Sequence, residues 1–206
     1  MAKRALANFF FEVGMLKRTP RSGFQFLGSG AESVAEHSFR TATIGYALAR
    51  LAGDVDAGRV VLLCLFHDLP EARLGDLNYV NKKYVQADEQ RAVDDLAATL
   101  PFGDDYRALL GEFSAGQTAE ACLAQDADQL EMILALKEYK DLGNRYADAW
   151  YPFAVRRLQT ELARELAEAI WETDSSLWWF DDGSDWWVHG RRRPPESLPP
   201  AATDQG

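Results

Sequence analysis

Apolar residues recur along this chain every three or four positions, and stretches that alternate apolar and polar with a period of two are missing. That spacing predicts an all-α fold. A first helix is expected over about residues 3–16, followed by a loop that holds Pro20, Gly23, Gly28 and Gly30 and the bases Lys17, Arg18 and Arg21. A second helix should start at Ser33, because Glu36 lies three positions on and the pair can satisfy each other's end of the first turn. Val34, His37, Thr41, Ile44, Leu48 and Leu51 then share one face, which points His37 toward the core.

A third helix, predicted over about 56–73, carries the unbroken run from Val60 to Phe66, apolar all round and so expected at the centre of the fold. His67 and Asp68 follow it directly. Shorter helices are expected over about 79–85, 88–100 and 103–114, and a long one over about 118–142 with Asp126, Asp128 and Glu131 set in an apolar pattern. A last helix, about 151–172, packs by Leu158, Leu162 and Leu166.

Beyond Thr173 the composition changes. Trp178, Trp179, Trp186 and Trp187 are interleaved with Asp181, Asp182 and Asp185, and Arg191, Arg192 and Arg193 lead into a Pro-rich end. The chain therefore divides into a domain over residues 1–172 and a segment over 173–206. In that segment the tryptophans pack on the domain or on a partner, and the Pro-rich tail is expected to stay disordered.

Length and charge narrow the function. A chain of 206 residues, 47% apolar, suffices for one full core. With 32 acids against 22 bases and a formal charge of −10, a duplex nucleic acid is excluded as partner, since such binding needs many Lys and Arg contacts to phosphate. A small anion can still bind where bases cluster. Cys64 and Cys122 sit in helical stretches and form no disulfide framework, which fits a reducing, cytoplasmic compartment. Glu12 interrupts the short patch Phe9, Phe10 and Phe11, so it reads as no signal peptide, and no apolar run is long enough to span a membrane.

Only three histidines occur, and His67 is followed by Asp68, then Glu71 one helical turn on, then Asp76. Neutral imidazole and ionised carboxylate are the ligands that divalent metals take. A carboxylate at the end of a buried apolar run costs several kcal/mol unless a cation compensates it. This is the pattern of a metal-centred hydrolase. The helical wheel leaves Asp126 and Asp128 equivalent, Cys64 reads as a packing residue, and His189 reads as no ligand.

The strings Leu16 to Gly23, Glu32 to His37, His67 to Glu71 with Gly75 and Asp76, and Asp126 to Met132 together resemble the HD-domain superfamily of metal-dependent phosphohydrolases, in its 5′-deoxynucleotidase-like branch. The resemblance covers about residues 5–170. It implies an HD-domain helical bundle with a central buried metal-binding helix, and one divalent ion (Mn, Co, Fe, Zn or Mg) on His37, His67, Asp68 and Asp128. It implies that Glu71 serves the attacking water or the leaving group and that Asp76 lies near the sugar and the water. Arg18 matches a phosphate-binding arginine, and Arg21 is a second substrate-binding candidate, unless these bases only cap the first helix. Asp126 is left as an acid behind the ligands or in solvent.

The implied reaction is hydrolysis of a nucleoside, in particular a deoxynucleoside, 5′-monophosphate, with the nucleotide as partner, no membrane, and a homodimeric assembly. Thr19 stands where some bacterial members carry an aromatic residue that contacts the nucleoside. The alternatives are an HD-type phosphodiesterase or a ppGpp-like nucleotide hydrolase, and, from another class, a metal-stabilised binding module. Two-iron oxygenases of the superfamily need more histidines than this chain offers. Two imidazoles and two carboxylates leave an ion positions open for water and a phosphate oxygen, and arginine's planar fork suits phosphate.

Overall fold

The three helices that build the centre are α2 (Val34–Ala52), α3 (Ala57–Phe66) and α7 (Ala119–Asp141), which pack on one another through Leu48, Val60, Leu63, Cys64, Ala124, Ala127, Leu130 and Ile133. The computed structural model describes residues 2–184 and 186–190. Among these no strand forms, and one isolated bridge pairs Pro20 with Ser33. Gly45 lets α2 and α3 approach closely, since a Cβ there would stand 2.6 Å from Cys64 Sγ. Each fully buried Leu or Ile of this centre contributes about 1.5–3 kcal/mol of apolar transfer.

Around the centre, α1 (Ala2–Val13) and a 3₁₀ turn at Gly14–Lys17 lie in chain order before a second 3₁₀ turn at Ser22–Leu27. Phe9 of α1 and Leu16 share a second cluster with Val93 and Leu96 of α5 (Glu89–Ala97) and Tyr106 and Leu110 of α6 (Gly103–Ala115). α8 (Ala147–Val155) and α9 (Glu161–Glu172) cover α7. This compact unit runs through Thr173. A second unit begins at Asp174 and holds α10 (Trp186–His189), where the rings of Trp179, Phe180 and Trp187 lie 5.4–5.9 Å apart. Asp185, Arg191 to Arg193 and the Pro-rich end lie outside the described residues.

Five expectations need correction. The helix expected over 56–73 stops at Phe66; a turn at His67–Pro70 leads into the short α4 (Glu71–Leu74). Pro70 explains the break, because it has no N–H to donate and disfavours helical backbone at the residue before it. The run Val60 to Phe66 is not buried on every side: Leu62 and Leu65 are 42% and 39% exposed.

The helix expected over 151–172 is instead two, α8 and α9, with Thr160 capping the second by accepting the Ala163 N–H. The helix expected over 79–85 is only a 3₁₀ turn at Asn81–Lys83. The start of α2 agrees with the sequence reading, Ser33 and Glu36 forming both halves of a capping box. On its buried face lie Val34, His37, Thr41 and Leu48, whereas Leu51 is exposed.

Candidate metal centre

His37 comes from the first half of α2, fully buried, because its position shares the face of Val34, Thr41 and Leu48. His67 and Asp68 come from the turn after α3. Consecutive residues within a helix point about 100° apart. The turn instead brings His67 Nε2 and Asp68 Oδ2 to 3.2 Å. Asp128 comes from α7 and places Oδ1 3.2 Å from His37 Nε2 and 3.9 Å from His67 Nε2. The two Nε2 atoms stand 3.4 Å apart, and His37 Nε2 is 3.5 Å from Asp68 Oδ2. Two atoms bound about 2.1 Å from one ion stand from about 3.0 Å apart at a right angle to about 4.2 Å apart on opposite sides, so the spacings among His37, His67 and Asp128, and those from Asp68 to the two imidazoles, suit a shared cation.

Both rings are held so that Nε2 faces the cluster. The His37 Nδ1–H donates to Glu131 at 2.6 Å, and the His67 Nδ1–H donates to the Cys64 carbonyl at 2.8 Å. That fixes the tautomer whose free lone pair is at Nε2. Asp68 Oδ2 is buried and takes no hydrogen bond, with the Arg21 guanidinium no nearer than 3.5 Å, a costly state for a carboxylate oxygen unless a cation sits closer. The donor set and this orphaned oxygen fit a divalent ion.

The electrostatics express the same demand for positive charge. Burial opposes protonation of His37, yet hydrogen bonds to Asp128 and Glu131 outweigh it and raise the ring to about 10. Burial likewise opposes His67, which Asp68 raises. Asp68 and Asp128 are both held below the usual carboxylate range: burial pushes them up, and the two imidazoles more than offset it. Glu71 goes the other way, to about 9, through burial and the charges of Asp68 and Asp76, and its Oε2 is buried without a partner.

Behind His37 lies a chain of charges that the sequence reading missed. Arg40 donates through Nε and Nη2 to Glu131 Oε1 at 2.9 and 2.6 Å and through Nη1 to Glu138 at 2.7 Å. Glu131 is fully buried and lowered to about 2, because the bonds from His37 and Arg40 overcome the cost of burial. The available signals were Glu131 one turn after Asp128 and Arg40 one turn after His37. Asp126 is neither behind the ligands nor in solvent. It is buried and accepts from the Gln159 and Thr160 N–H groups and the Thr160 hydroxyl, anchoring the start of α9.

Of the two candidate arginines, Arg21 reaches the cluster, with Nη1 3.5 Å from Asp68 Oδ2. Arg18 is exposed, and no hydrogen bond or ion pair joins it to the ligands among the described residues. Both line a cavity of about 410 Å³ together with Lys17, Thr19, Gln25 and Glu32. Asp76 stands beside this region, its Oδ2 accepting the Ser22 N–H at 2.7 Å.

The family model for the HD domain matches residues 13–171. The chain belongs to the HD-domain family. Among curated relatives, the 5′-deoxynucleotidase HDDC2 of Bos taurus is 34% identical over 69% of this chain and 71% of its own length. A 5′-deoxynucleotidase of Photorhabdus laumondii, plu3092, is 30% identical over 77% of this chain and 84% of its own. Two solved structures are similar. One is a conserved hypothetical protein from Pyrococcus furiosus, with TM-score 0.68 and 29% identity, covering 80% of this chain and 98% of that one. The other, from Magnetospirillum magnetotacticum MS-1, is named a predicted metal-dependent phosphohydrolase, with TM-score 0.66 and 28% identity, covering 82% and 90%. The all-α HD bundle expected from the sequence is thus the fold observed.

Proposed function

We propose that the chain is a metal-dependent phosphomonoesterase that releases phosphate from deoxynucleoside 5′-monophosphates. The observation that carries this reading is the grouping of His37 Nε2, His67 Nε2 and Asp128 within 4.8 Å of one another, with Asp68 Oδ2 3.2 and 3.5 Å from the two imidazoles, in an HD-domain chain whose curated relatives are named 5′-deoxynucleotidases. These four residues would hold one divalent ion. When bound, it supplies Lewis acidity toward the phosphoryl group and toward water.

The remaining steps fall to side chains. Arg21 offers its guanidinium fork to the phosphate oxygens, in the place the sequence reading gave to Arg18. Arg18 and Lys17 line the adjoining cavity, where the rest of the nucleotide fits; about 300–1,000 Å³ is usual for such pockets. Glu71, with Oε2 free, is the group that moves a proton between water and the departing 5′-oxygen. Asp76 keeps one carboxylate oxygen for the sugar or the water. The Thr19 hydroxyl turns back to the Met15 carbonyl, so this position offers no ring to stack on a nucleoside.

A screen of phosphate release from deoxyribonucleoside and ribonucleoside 5′-monophosphates, with Mn²⁺, Co²⁺, Fe²⁺, Zn²⁺ or Mg²⁺, tests the reading. Release from the deoxy series is expected; no release from any monophosphate with any ion defeats it. Glu71→Ala separates enzyme from binding module, since only an enzyme loses an activity. The homodimer rests on the exposed side chains Leu177, Trp178 and Val188, which light scattering tests. A cytoplasmic location rests on the two free cysteines, and no helix of the described residues is long and apolar enough to cross a membrane.

A further inference from the structure

We propose that Ser22 is a positioning residue that fixes Arg21 over the metal centre, an inference that rests on the phosphomonoesterase reading. Arg21 carries a long side chain, yet it lies 15% exposed beside Asp68, facing Asp128, Glu131 and Asp76 as well. A long, rotatable side chain holds such a place only if the backbone beneath it is fixed.

Two sets of bonds fix it. On one side the Arg21 N–H donates to the Glu32 carbonyl at 2.8 Å and the Val34 N–H donates to the Thr19 carbonyl at 2.9 Å, tying the segment to the start of α2. On the other side Ser22 makes a two-bond bridge to a residue 54 positions away: its N–H donates to Asp76 Oδ2 and its hydroxyl to the Asp76 carbonyl, both at 2.7 Å. Gly75, at φ +73°, turns the chain after α4 so that Asp76 can meet Ser22. Ser22 therefore joins the arm that carries Arg21 to the segment that carries Glu71 and Asp76. Its own side chain points at a backbone carbonyl and takes no part in the chemistry.

The test uses the full chain loaded with Mn²⁺ and three readouts: phosphate-release kinetics, the Kd for inorganic phosphate by calorimetry, and the Kd for Mn²⁺. Ser22→Ala should raise KM and the phosphate Kd together by about 2- to 12-fold, the value of one hydrogen bond, with kcat changed less and Mn²⁺ affinity unchanged. Ser22→Thr, which keeps the hydroxyl, should retain the parent's values. In an Arg21→Ala background Ser22→Ala should add nothing to the phosphate Kd, because its effect on phosphate runs through Arg21. A Ser22→Ala chain that matches the parent in both constants, or whose effect on the phosphate Kd multiplies in full with that of Arg21→Ala, overturns the proposal. A parent that binds phosphate but hydrolyses no nucleotide defeats only the activity reading, and the phosphate titrations still decide on Ser22. A parent that binds no phosphate overturns both.

Discussion

Glu131→Gln strikes the metal centre from behind without touching a ligand's metal-facing atom. In the parent the two carboxylate oxygens serve different partners, Oε2 accepting from His37 Nδ1 at 2.6 Å and Oε1 accepting twice from Arg40. Glutamine has one acceptor oxygen. If it stays with Arg40, the amide N–H₂ faces His37 Nδ1, and the ring relieves the clash by moving its proton to Nε2, where it blocks ligation. If it stays with His37, the amide faces the Arg40 guanidinium, and a buried donor is left unpaired at about 1–3 kcal/mol.

Loss of a partner of this kind lowers metal affinity about 10- to 100-fold. That is about 1.4–2.7 kcal/mol. Competition of Mn²⁺ or Co²⁺ between the protein and a chelating dye measures it, and urea unfolding of the metal-free chains measures the stability cost. Glu138→Gln is the control, since Glu138 holds only the outer nitrogen of Arg40 and should change metal affinity by less than about threefold. A Glu131→Gln chain that binds metal within about twofold of the parent would mean that the tautomer of His37 does not depend on this carboxylate.

Other outcomes follow from the same geometry. Glu71→Gln should keep metal affinity within a few-fold yet lower kcat by about 10²-fold or more, as phosphate-release kinetics beside metal titration will show. Asp126→Ala should cost about 1–3 kcal/mol in urea unfolding, from three lost bonds at the start of α9, while metal affinity stays at the parent's value. For pH, the protonated His37 of the metal-free chain, raised to about 10 from an ordinary 6.5, contributes stability that is full below 6.5 and lost as pH rises toward 10. Glu71, raised to about 9 chiefly by burial, acts in the same direction above 4.5. The urea midpoint in a chelator should therefore be lower at about pH 9 than at about pH 6.5, and metal affinity should climb over that range as the ion displaces protons. An equal or higher midpoint at the alkaline end would contradict the shift.

Features that depend on neighbours within one turn are legible in the chain before it folds. The three-and-four spacing set the helical class, the pair Ser33 and Glu36 set the start of α2, and the face shared with Val34 and Leu48 put His37 inside. The strings around His37, His67-Asp68 and Asp128 marked the family, because ligand residue types recur there in fixed order. Tertiary structure alone decided the rest. Asp126 and Asp128 look alike on a helical wheel; α9 claims one and the imidazoles the other. Arg18 and Arg21 differ in exposure only because the intervening turn is tied to α2 and Asp76. Glu131 and Arg40 meet from helices 91 positions apart. Periodicity reports which side of a helix is buried, but the partner it is buried against is set by how helices cross, and that is written nowhere in the local pattern.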